Sequence, residues 1–259
     1  MTAPLLAAEG LCVELGGKAI LRDLSVNFPS GRFVALLGPN GAGKTTALKA
    51  LAGLVPAHGR ISIAGEALAR ISSRERARRI GYLPQGHAVH WPLTARDVVA
   101  LGRYPHGVAD PARLSKRDAE AVDCAMARTD CAHLAHQPVQ TLSGGERARV
   151  MLARVLATEA AILLADEPTA ALDPRHQLAV MDDLKGESRR GTLVIAVTHD
   201  IALAARMADE IVLLHDGRLV AQGSPEAVLT DANLAQIYGV TVARPIIDGQ
   251  AALVPWALS

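Results

Sequence analysis

The chain has 259 residues, half of them apolar but only 3% aromatic, and a formal net charge of +1. That length suits one large domain or two small ones, and the near-neutral balance, with lysine and arginine read as dispersed, argues against a nucleic-acid partner. Its apolar runs, such as "AILLA" at 161–165 and "LVIAV" at 193–197, are strand-length and fall far short of the ~20 residues a bilayer span needs.

The opening "MTAPLLAAEGL" has no cationic start and too brief an apolar segment for a secretory signal, so the expected compartment is the cytoplasm. Three scattered cysteines agree with a reducing environment, and Cys124, Cys131, His133 and His136 do not follow a zinc-site spacing. An aliphatic core with few aromatics points to helix-covered parallel strands.

In chain order, "RFVALLG" at 32–38 is a short apolar run closed by glycine, and "KTTALKALAG" reads as a helix ending at Gly53. Between them "GPNGAGKTT" at 38–46 fits G-x-x-x-x-G-K-[ST] in the strand–loop–helix context that this pattern requires. The backbone of Gly38, Pro39, Asn40, Gly41, Ala42 and Gly43 would curl around a phosphate, Lys44 would reach the β and γ oxygens, and Thr45, followed by Thr46, would offer its hydroxyl to Mg²⁺. Gln85 in "YLPQG" follows a strand-like segment and is a candidate contact to Mg²⁺ or water. From about 91 to 158 the patterns turn helical, in "DVVALGR", "DAEAVDCAMART" and "ERARVMLARVLAT".

Within that region "TLSGGERARV" at 141–150 sets Ser143 three residues before Glu146, a capping box at a helix start. Gly144 and Gly145 leave the first amides bare, and bare amides at a helix N-terminus bind anions. "AILLADEP" then reads as a buried strand ending in Asp166 and Glu167, adjacent acids that face opposite ways. That places Asp166 toward the metal of the phosphate loop and Glu167 where it can take a proton from attacking water. His199 ends a further buried strand, "VIAVTH", at the same sheet edge, as a candidate γ-phosphate contact. "IVLLHDGRLVAQG" reads as a hairpin turned at Asp216-Gly217. From 224 onward a short helix gives way to mixed apolar segments.

In this order the segments resemble the ATP-binding cassette ATPases over nearly the full chain. The matching pieces are the phosphate loop at 38–46, the glutamine loop at Gln85, the signature "LSGGE" at 142–146, the acids Asp166 and Glu167, the "ALD" loop at 171–173 and the switch histidine His199. The resemblance implies an α/β fold: a P-loop NTPase (RecA-like) core with an inserted helical subdomain and a small N-terminal β region. The single cassette would span 1–259, with its core at 1–90 and 159–230, the helical subdomain at 91–158 and a C-terminal extension at 231–259. ATP and Mg²⁺ are the implied cofactors. Two cassettes would pack head to tail as a homodimer, each ATP lying between one phosphate loop and the other chain's Ser143, Gly144 and Gly145. Leu15 stands where cassettes usually carry an aromatic residue that stacks on adenine, which leaves the base less discriminated and GTP a second substrate to consider.

"YLPQGHAVHWPLTARDVVALGRYPH" at 82–106 is similar to the importer cassettes serving iron-siderophore, haem and vitamin B12 permeases. That likeness implies a peripheral subunit on the cytoplasmic face of the membrane, a permease docked near the glutamine loop, a substrate-binding protein as an indirect partner, and no nucleic acid. The competing reading is a soluble cassette acting on nucleic acid or the ribosome. Cassettes of that kind typically carry two copies or long coiled-coil insertions, and this chain has neither.

Overall fold

The structure is a computed structural model that describes residues 4–86, 92–247 and 249–259. Residues 87–91, within the stretch 82–106 quoted above, lie outside the described residues. Two sheets carry the molecule. The first is antiparallel, built from β1 (Leu6–Leu15), β2 (Lys18–Phe28), β4 (His58–Ile63) and β5 (Glu66–Ala67) in the order β2-β1-β4-β5. The second runs β10-β9-β3-β8-β7-β6, with β3 (Phe33–Leu37), β6 (Ile80–Leu83), β7 (Ile162–Asp166), β8 (Leu193–Val197) and β9 (Glu210–His215) parallel and β10 (Arg218–Gly223) antiparallel at its edge. β9 turns into β10 through Asp216 and Gly217, both at positive φ (47° and 74°), the twist a two-residue hairpin needs.

Every residue of β3, β7 and β8 is buried, so alternate side chains feed separate cores. Phe33, Ala165, Val194 and Ala196 pack with α3 (Ala95–Ala100), α4 (Lys116–Arg128), α5 (Gly144–Leu156) and α6 (Pro174–Arg189). Val34, Leu164, Ile195 and Val197 pack on the opposite face with α1 (Lys44–Leu51) and the antiparallel sheet. A third cluster joins Ala35 and Leu37 to α7 (Ile201–Met207), α8 (Pro225–Val228) and α9 (Asp231–Tyr238). The chain ends in two small antiparallel pairs, β11 (Val240–Ala243) with β14 (Val254–Leu258) and β12 (Ile246–Ile247) with β13 (Gln250–Ala251).

Two sequence readings are corrected here. The arginines are not simply dispersed: α2 (Ser73–Arg79) carries Arg74, Arg76, Arg78 and Arg79 on seven residues. "DVVALGR" is not one α-helix either. α3 stops at Ala100, and Leu101–His106 continues as a 3₁₀ segment. Pro105 lacks the N–H that α-helical continuation would use, and a Cβ on Gly102 would overlap the carbonyl oxygen of Arg154. The 3₁₀ segment thus crosses the end of α5 at backbone contact. Arg103 pins it there from inside, 1% exposed, donating to Asp118, Glu159 and the Ala157 carbonyl at 2.7–2.9 Å.

The parallel strands deliver their C-terminal ends to one edge. Leu36 of β3 and Asp166 of β7 both pair with Val197 of β8, and Leu83 of β6 pairs with Ala165. The residues that follow, Gly38, Gln85, Glu167 and His199, therefore emerge side by side, where open α/β sheets bind ligands.

Candidate active site

The phosphate loop joins β3 to α1. Gly38 has φ +147° and a Cβ there would overlap the Leu214 carbonyl oxygen, while Gly43 has φ +93° and a Cβ would lie 2.8 Å from Leu21 Cδ2. Both positions demand glycine. Gly43 is also the N-cap of α1, with no side-chain cap and no acidic residue in the first turn. The positive end of the helix is left open to an anion. Lys44, 6% exposed, folds back so that Nζ donates to the carbonyls of Gly38 (2.8 Å) and Pro39 (2.9 Å). Burial lowers its pKa, and the charges of Glu167 and Asp166 oppose that shift.

Asp166 is 1% exposed, and both its oxygens face hydroxyls: Thr45 Oγ1 donates to Oδ1 at 2.9 Å, and Tyr82 Oη approaches Oδ2 at 3.3 Å. Burial, ahead of the Asp166 charge, raises the pKa of Tyr82 well above the usual phenol value, so this hydroxyl remains a donor. Among the described residues no ion pair reaches Asp166. A carboxylate this buried with no cation in contact is costly, Lys44 acting on it only through space, and a donor set of hydroxyl plus carboxylate suits Mg²⁺ completed by phosphate and water oxygens. The residues fit the metal. Tyr82 was not singled out from the sequence. Its contact with Asp166 joins β6 to β7, 84 positions apart, which no local pattern carries.

Glu167 turns the other way. It sits at φ +49°, an unusual conformation for a non-glycine residue. Its Oε2 accepts from Gln85 Nε2 at 2.7 Å and its Oε1 lies 2.6 Å from His199 Nε2. The three residues assigned to catalysis from the sequence thus form one hydrogen-bonded group, with Gln85 and His199 on Glu167. Leu15 closes β1 before the Gly16-Gly17 turn and is exposed. β2 of the same hairpin meets Gly43 of the phosphate loop through Ile20 and Leu21.

Ser143 forms the capping box read from the sequence. Its backbone N–H donates to Glu146 Oε2 at 2.9 Å, and its hydroxyl accepts from the Glu146 N–H at 3.4 Å. Among the described residues its side chain bonds only within that box. A Cβ on Gly144 would meet nothing within 4 Å, whereas a Cβ on Gly145 would press into the His176 ring, 2.6 Å from Nε2. The two glycines serve different ends.

A glycine loop running into a helix, a buried lysine, and a hydroxyl facing an acid at the end of β7, two strands along the sheet from β3, define a P-loop nucleoside triphosphatase. Residues 21–170 match the family model described as ABC transporter. The chain is 42% identical over 244 residues to the hemin import ATP-binding protein HmuV of Pseudomonas putida, covering 92% of this chain and 94% of that one. It is 42% identical over 252 residues to the ferric enterobactin transport ATP-binding protein FepC of Escherichia coli, covering 96% and 92%. An inward-facing structure of a metal-chelate type ABC transporter superposes with a TM-score of 0.84 at 25% identity, covering 98% of both chains. The chain belongs to the ABC transporter family, as one of its ATP-binding, ATP-hydrolysing cassettes. No described helix is long and apolar enough to cross a membrane.

Proposed function

We propose that this chain is the ATPase subunit of an importer for a metal chelate (haem, an iron-siderophore or cobalamin), acting through a separate permease as a peripheral subunit on the cytoplasmic side of the membrane. The carrying observation is that relatives named for hemin import and ferric enterobactin transport match over more than nine-tenths of the chain. The two are equally similar, so the class of cargo follows and the individual chelate does not.

Each chain offers two glycine-bearing helix starts, at α1 and at α5, and the lysine and acid pair of the site stand beside α1, not α5. Two chains related by a two-fold axis complete two equivalent sites when the Ser143–Gly144–Gly145 start of one faces the nucleotide on Lys44 of the other. Thr45 and Asp166 would hold Mg²⁺, whose charge balances that of the phosphates. Glu167 accepts the proton of the attacking water at its carboxylate, whose two oxygens each keep a lone pair beyond the contacts to Gln85 and His199. ATP binding closes the dimer, and hydrolysis resets it.

The permease has a suitable seat next to the glutamine loop. A groove of about 460 Å³ lies between α2, the 3₁₀ segment and the end of α5, lined by Leu54, Ile80, Tyr82, Leu101 and the exposed Tyr104. Arg74 and Arg78 at its rim are tied to the Pro105 carbonyl, and Arg79 to Glu66 and Glu75. Arg76 and Arg154 line the groove without a side-chain partner among the described residues, which offers cations to an acidic residue on an incoming helix. Co-purification from membranes tests the assignment. A polytopic membrane protein should accompany the chain, and its absence under conditions that preserve ATPase activity counts against a transport role.

A further inference from the structure

We propose that His176 is a positioning residue that locks the start of α5 to the 171–173 loop, so that both approach the partner cassette's nucleotide as one body. The proposal rests on the shared-site reading above. The imidazole, in the first turn of α6, is held on two sides. On one side Gly145 is buried against it, and a Cβ there would overlap the ring. On the other, Nδ1 lies 2.9 and 2.8 Å from the two carboxylate oxygens of Asp173, and Asp173 Oδ1 also accepts the His176 backbone N–H at 3.0 Å as the N-cap of α6.

The contact continues toward the chemistry. The backbone N–H of Ala170 donates to the Glu167 carbonyl at 3.1 Å and that of Leu172 to the Thr169 carbonyl at 3.3 Å, with Ala171 held at φ +60°. One tightly bonded turn therefore runs from Glu167 to Asp173, and His176 carries it on to Gly145. A helix start placed by a wedge moves with the wedge, because packed side chains do not deform continuously. Gly144 has open space where a Cβ would stand and is free to face a phosphate. Gly145 is glycine because the imidazole occupies the space a side chain would take.

The test uses ATP-dependent dimerisation in the Glu167→Gln background, read by sedimentation and so independent of turnover. His176→Ala should raise the ATP concentration for half-dimerisation about tenfold, within the usual range of coupling between contacting residues, while ATP binding by the monomer stays unchanged. Gly145→Ala should weaken dimerisation when His176 is present and add little in the His176→Ala background, where the clash is gone. Equal cost of Gly145→Ala in both backgrounds, or undiminished dimerisation of His176→Ala, overturns the proposal. Should His176→Ala lose its fold, His176→Asn, which can still bond Asp173 but lacks the ring, is expected to show the same loss, and wild-type behaviour there overturns it equally. If Glu167→Gln with His176 intact fails to dimerise at all, the shared-site reading itself is the one that falls.

Discussion

Glu167 shows how much of the chemistry rests on single atoms. Both carboxylate oxygens are engaged, by Gln85 and by His199, so a Gln in its place keeps the shape of the site and loses the base. Glu167→Gln should retain ATP binding and lower turnover by about 10²–10⁴-fold, the usual worth of a positioned general base, as measured by phosphate release beside equilibrium nucleotide binding. A second acid matters for stability. Burial raises the Asp183 pKa to about 6, against the pull of Arg149 and with a push from Asp182 and Asp130. Its folded pKa lies above its unfolded value, so the ionised group costs stability above about pH 6, and that cost fades as the proton returns between pH 6 and pH 4. Asp183→Asn should therefore stabilise the fold by about 1 kcal/mol at pH 8, a figure discounted for partial exposure. The gain should shrink by pH 5 in thermal melts.

At the scale of elements, what was legible in the sequence is what neighbouring residues decide. The phosphate loop, the capping box at Ser143 and Glu146, and the Asp216-Gly217 hairpin each depend on residues within a few positions, and the structure has each in its expected form. The switch from α3 to the 3₁₀ segment depends on Gly102 meeting Arg154, 52 positions away, and no local pattern carries that. Gly102→Ala would drive a Cβ into a backbone carbonyl that cannot swing aside. It should cost about 1–3 kcal/mol or more, as overpacking does, and lower the denaturant midpoint without changing the affinity of the phosphate loop for ATP.

At the scale of the molecule, the edge where four parallel strands end gathers Lys44, Gln85, Asp166, Glu167 and His199, which the sequence names separately and the sheet order brings together. Tyr82 and His176 escaped the sequence reading because each acts through a contact between distant segments, β6 with β7 and α6 with α5. The start of α5 belongs to a site that one chain does not complete. Lys44→Ala should weaken nucleotide binding itself, whereas Ser143→Arg should spare binding and lose only association. The decisive measurement is sedimentation of Glu167→Gln with saturating ATP, alone and combined with Ser143→Arg. A shared site predicts that the first passes from one chain to two on adding ATP, while the second binds ATP and stays a single chain. Dimerisation undiminished by Ser143→Arg, or turnover retained by Ser143→Arg in the otherwise wild-type chain, would contradict it.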